Sequence, residues 1–181
     1  MNRTTTAIKK PHILYIDVGS LLLSTSYLDQ HPDMRNVTER SLSIPMADYL
    51  RQISLDPKGV MLLNNLSNQY NIFMFPLGSV FQREFLIAQG IKSSCLAPEQ
   101  TGNLRLDDND MIRMMLSHAY KSNADWRVVG DLYLNEVEQS SQLFTKRYIK
   151  ADNINGVTEQ VIEKIKVSFK TPMTNSLMHC S

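Results

Sequence analysis

At 181 residues, with 43% hydrophobic and 20% charged side chains, the chain has the length and balance of one globular domain with a sizeable core. Its formal net charge of +1 offers no global field to a nucleic acid or an anionic membrane. No apolar run approaches the roughly 20 residues of a membrane-spanning helix, and Asp17 interrupts the one run near the N-terminus that could resemble a signal-peptide core.

In chain order, residues 1–11 lack periodicity and read as a tail. The apolar run 13–16 predicts a first strand that ends at Asp17 and turns at Gly19. Ser20 then reads as a phosphate-contacting hydroxyl or, more simply, as a helix N-cap. Residues 24–56 are polar and proline-containing, hold one short helical pattern ("MADYLRQI"), and are too long for an ordinary connection. They predict an insertion, a lid or flap over the sheet rim. Asp56 as N-cap and Pro57 at the first helical position open a helix whose Val60, Leu63, Leu66 and Tyr70 share a face. A second strand, "NIFMFP", stops at Pro76. Phe81 and Phe85 stand at helical spacing before a terminating Gly90.

"IKSSCLA" (91–97) predicts a third, weaker strand. "DDNDMIRMMLSHAY" predicts a helix with Asp107, Asp108 and Asp110 at its favourable N-terminal end, the methionines as core filler and His118 on its amphipathic surface. The acids lack the glycine and terminal glutamate of a calcium-binding loop, and none of the four histidines has metal-ligand spacing. "WRVVGD" predicts a fourth strand and "RYIKAD" a fifth, and Lys146, Arg147 and Lys150 read equally as a contact for a phosphate-bearing partner or as the exposed charged face of a strand. Residues 157–169 read as a closing helix and 170–181 as a second tail. Two cysteines, Cys95 and Cys180, do not make a disulfide framework and suggest reduced thiols in a cytoplasmic setting.

Strands alternating with helices of 10 to 15 residues predict an α/β fold: a three-layer, Rossmann-like parallel sheet flanked by helices over residues 12–169. Ligands of such sheets bind beyond the carboxyl ends of the strands. Asp17 follows "ILYI" and Asp131 follows "WRVVG", so in a parallel sheet both carboxylates emerge at that edge. Two hard oxygen donors there suit Mg²⁺, and a carboxylate there can attack phosphorus.

At these residues the chain resembles the haloacid dehalogenase superfamily, dominated by magnesium-dependent phosphohydrolases. "ILYIDVGSLL" is similar to its first motif, which implies Asp17 as nucleophile. "NLSNQYNIFMFPLGS" looks like the second, where a strand-end hydroxyl holds the phosphoryl group; Pro76 occupies that place, and Ser79 lies three residues on. "LRLDDNDMIRMMLSHAY" puts Arg105 in the lysine slot of the third. "VVGDLYLNEVEQS" is similar to the acidic fourth motif, implying Asp131 as a metal ligand with Glu136 beside it.

The resemblance implies hydrolysis of a phosphorylated substrate through an aspartyl-phosphate, with Mg²⁺ as cofactor, and the small size of the 24–56 insertion predicts an open rim suited to a macromolecular phosphoester or to completion by a second subunit. Gly19 stands where those phosphatases carry the general acid. Gly19 and Pro76 therefore support a rival from another class, an inactive descendant that binds a protein partner. A third reading shares the acidic edge: a receiver-type regulator that holds a phosphoryl group on Asp17 without hydrolysing substrates.

Overall fold

The computed structural model describes residues 10–99, 111–134 and 141–170. The four residues 13–16 of β1 (His12–Ile16) are buried on both faces, as an apolar run needs to be when helices cover both sides of a parallel sheet. β2 (Ile72–Pro76), β3 (Asp125–Gly130) and β4 (Tyr148–Lys150) complete the sheet in the order β2-β1-β3-β4. Every pairing is parallel, with Ile16 opposite Pro76 on one side and Val129 on the other. All the strands therefore finish at one edge.

Side-chain alternation splits the core in two. Leu14, Ile16, Met74 and Val129 face a larger cluster with α1 (Val18–Leu22), α5 (Pro57–Tyr70) and α9 (Glu159–Lys170). Ile13, Tyr15, Trp126 and Val128 face a smaller one with α7 (Met111–Lys121) and α8 (Gln142–Thr145). The protein is thus an α/β structure with helices on both faces of an all-parallel sheet. Among the described residues, no helix is long and apolar enough to cross a membrane.

Several local expectations change. Residues 24–56 form three helices, α2 (Thr25–Gln30), α3 (Pro32–Glu39) and α4 (Met46–Gln52), rather than one. Tyr27, Tyr49, Ile53 and Leu55 of this segment are buried in the larger cluster, with Tyr49 set against Phe81. The insertion carries part of the core. The weak third strand becomes a 3₁₀ turn, Ser93–Cys95, with one bridge between Leu96 and Met74. Arg83, at the start of α6 (Arg83–Ala88), donates to the carbonyls of Ala97 and Ser93 at 2.9 and 3.0 Å. Those two carbonyls are thereby satisfied without a neighbouring strand.

Arg147 does not lie on an exposed charged face. It is buried, and with the fully buried Arg127 it converges on the Asp125 carboxylate at 3.0 and 2.7 Å. Arg127 Nε also donates to the Ser168 carbonyl at 3.1 Å, tying the last turn of α9 to β3. Arg147 lies over the Trp126 ring, at 4.9 Å from its centroid. The methionines of α7 divide: Met115 is buried, whereas Met111 and Met114 are half-buried.

Candidate functional site

Asp17 continues β1 by one residue, its N–H donating to the Val129 carbonyl at 3.0 Å. Its backbone is extended (φ −79°, ψ 95°), and the chain turns at once into α1. The Leu77 N–H donates to the Ile16 carbonyl at 2.9 Å, so the loop leaving β2 starts beside Asp17. Asp131 follows directly on Gly130, the last residue of β3. The two aspartates therefore stand at the ends of neighbouring parallel strands, at the same edge of the sheet.

Gly130 makes this possible. A Cβ there would lie 2.3 Å from the Asp17 Cβ and 3.2 Å from its Cγ and Oδ2. The φ of +154° is likewise one that side-chain-bearing residues rarely adopt. The glycine of "VVGD" is thus the surface on which the Asp17 side chain rests.

Ser20 is not the N-cap. It lies inside α1, where its hydroxyl donates to the Asp17 carbonyl at 3.3 Å and accepts the Asp131 N–H at 3.1 Å. One side chain thus clips the first turn to the end of β3. Tyr148, at the start of β4, closes the other side. Its hydroxyl donates to the Gly130 carbonyl at 2.9 Å and accepts the Leu132 N–H at 3.1 Å. Burial chiefly, with the negative charges of Asp131 and Asp17, raises its pKa, although the Leu132 N–H acts in the opposite direction. Its proton stays in place at neutral pH.

Gly19 lies in α1 with open space around it. A Cβ there would meet Asp17 Oδ1 at 3.7 Å, an ordinary contact, so residue 19 is placed to present a side chain to that carboxylate. Ser79 is exposed in the loop after β2. It lines a depression with Gln82, Arg83, Glu84 and Glu99, and Asp17 is not part of that wall. Arg105 and Glu136 lie outside the described residues, as do Asp107, Asp108 and Asp110. Among the described residues, no group of three or more His, Cys, Asp or Glu side chains gathers as a metal-holding cluster.

A feature the sequence did not advertise lies beside this edge. Between β1, β2 and α7 is a cavity of about 240 Å³ lined by Tyr15, Phe75, Leu77, Met111, Met115 and His118, among others. His118 Nε2 lies 3.1 Å from the Pro98 carbonyl, which can only accept, and Nδ1 lies 2.6 Å from the Tyr15 hydroxyl. Burial lowers the His118 pKa, more than offsetting the opposing pull of the Pro98 carbonyl. The neutral ring is therefore protonated on Nε2, and Tyr15 donates to Nδ1. Phe75 packs on the His118 ring at 4.0 Å between centroids. Tyr15 and His118 are 103 residues apart, and each has the local signature of an ordinary core position. The only sequence signal was a polar tip on an otherwise apolar face.

Compared with models of known protein families and with curated proteins, the chain matches none.

Proposed function

We propose that the chain is a haloacid dehalogenase-like, magnesium-dependent phosphohydrolase that works through an aspartyl-phosphate on Asp17. The observation that carries the reading is the juxtaposition of Asp17 and Asp131 on neighbouring strand ends, with Gly130 making room for the Asp17 side chain. Asp17 and Asp131 are the described residues that would hold the ion, and Glu136 is the expected third. Two carboxylates at an open edge fit a hard cation that keeps several waters. When bound, Mg²⁺ offsets the charge of the phosphoryl oxygens.

The chain's own contribution is positioning. The Asp17 backbone is held by the Val129 carbonyl and by Ser20, which fixes the point from which its carboxylate projects. An Asp17 oxygen attacks phosphorus and the ester oxygen leaves with its electron pair. Water then cleaves the acyl phosphate, returning the carboxylate and releasing inorganic phosphate. Arg105 and Ser79 are the proposed partners of the phosphoryl charge. In the described geometry, Ser79 reaches that role only if its loop moves.

The test is phosphate release from a panel of phosphomonoesters and acetyl phosphate, with and without MgCl₂. Turnover that requires Mg²⁺ and falls by at least about 10³-fold in Asp17→Asn supports the reading. Turnover that survives the substitution refutes it. Gly19 favours a second reading, an inactive binding module, because it leaves the place beside Asp17 Oδ1 without a proton donor. A protein that turns over no phosphoester but retains a protein partner in pull-down supports that module.

A further inference from the structure

We propose, building on the phosphohydrolase reading, that the substrate is an aryl phosphate whose ring occupies the cavity between β1, β2 and α7. Two independent observations converge on that class: the shape and lining of the cavity, and the absence of an acid at position 19.

The cavity adjoins the reactive edge. Tyr15 precedes Asp17 by two residues and shares its face of β1 by strand alternation. Leu77, one residue past the Ile16–Pro76 pair, forms both the cavity wall and the neighbour of Asp17. The cavity wall thus includes residues next to Asp17 along β1 and across the sheet. The lining is aromatic and thioether: Phe75, Tyr15 and His118 in mutual ring contact, with Met111, Met114 and Met115 opposite. Thioethers and ring edges favour a flat aromatic guest. Apolar cavities of roughly 150 Å³ take up benzene, and this one measures about 240 Å³. The polar atoms of Tyr15 and His118 are engaged with each other and with the Pro98 carbonyl, and the charged group in the lining is the exposed Glu99.

The second observation concerns the leaving oxygen. Among the described residues, the hydroxyls tied to this edge are Ser20, which donates to the Asp17 carbonyl, and Tyr148, which donates to the Gly130 carbonyl, so neither of the two holds a proton free for the leaving oxygen. An ester oxygen departing here takes the bonding pair as an anion and collects its proton from solvent afterwards. A phenol, with pKa about 10, tolerates that far better than an alcohol, whose pKa lies well above it and near that of water. A missing general acid costs an alkyl ester about 10²–10⁴-fold and an aryl ester much less.

The experiment uses the full chain with MgCl₂ and compares phenyl phosphate, ring-substituted phenyl phosphates, an alkyl phosphate and acetyl phosphate. The expected result is kcat/KM at least about 10²-fold higher for phenyl than for alkyl phosphate, rising as the phenol becomes more acidic. Narrowing the cavity with Met114→Trp should lower kcat/KM at least 10-fold more for phenyl phosphate than for acetyl phosphate, whose small leaving group does not need the ring site. Because acetyl phosphate reports on the same folded variant, misfolding cannot imitate that ratio. Equal turnover of alkyl and aryl esters, or an unchanged ratio in the variant, overturns the aryl assignment and leaves the hydrolase intact. No turnover of any compound, acetyl phosphate included, overturns both.

Discussion

Gly130 and Gly19 both face the Asp17 side chain, and the structure predicts opposite outcomes for the same alanine substitution. In Gly130→Ala the new methyl would lie 2.3 Å from the Asp17 Cβ, more than an ångström inside the roughly 3.5–4.0 Å optimum for carbon pairs. Rotating χ1 of Asp17 gives no relief, because both clashing atoms are Cβ positions set by the backbone. β1 and β3 must separate, or the end of β3 must leave its φ of +154°. Over-packing of this kind costs about 1–3 kcal/mol, and the backbone conformation adds about 1–3 kcal/mol for an L-residue. A loss of about 3 kcal/mol is therefore expected, equivalent to a fall in Tm of roughly 6–12 °C at this chain length. In Gly19→Ala the methyl meets Asp17 Oδ1 at an unstrained 3.7 Å within α1, and alanine should stabilise the helix by about 0.5–1 kcal/mol. Urea and thermal unfolding of both variants beside the parent chain provide the assay. If Gly130→Ala lies within 1 kcal/mol of the parent, the close approach of Asp17 to the end of β3 is wrong, and the shared acidic edge falls with it.

Three further outcomes follow from the buried polar groups. Tyr15→Phe and His118→Ala should show a coupling of about 1–2 kcal/mol in a double-mutant cycle of unfolding free energies, because one hydroxyl joins them across two elements; additive losses would mean that the bond contributes nothing. His118 has a lowered pKa in the folded state, so below the unfolded value of about 6.5 the unfolded chain binds the proton first, and the histidine's contribution to stability declines as pH falls from there. His118→Gln should flatten the unfolding midpoint between pH 7 and pH 5, and a profile parallel to the parent's would contradict this. Asp125→Ala strands two buried guanidinium groups and should cost about 3–5 kcal/mol by chemical denaturation, far above a surface ion pair.

Much of the framework was readable from local pattern. The strands at 13–16, 71–76, 126–131 and 147–152 were visible as short apolar or mixed runs, and Asp56–Pro57 marked the start of α5, where the Asp56 carboxylate accepts the Lys58 N–H at 2.9 Å. Asp17 and Asp131 could be assigned to one edge because parallel strands leave no other geometry once both are strand ends. The errors arose where a side chain's partner is distant in sequence. Ser20 read as a cap because its tie to the Asp131 N–H spans 111 positions. Arg147 read as exposed because Asp125, which balances its charge, lies in another strand. Segment 91–97 read as a strand, yet Arg83 supplies partners for two of its carbonyls and leaves only one bridge.

What the amino-acid order alone determined is the alternation of elements and the placing of two carboxylates at strand ends, because periods of 2 and 3.6 residues are properties of neighbours along the chain. Only the tertiary structure decided that Gly130 is the bed of the Asp17 side chain and that Tyr15 and His118 line a cavity beside it. It also decided that residues 24–56 contribute side chains to the core. Those depend on which strands pair and in what register, and pairing is settled by burial summed over the whole sheet rather than by any single segment.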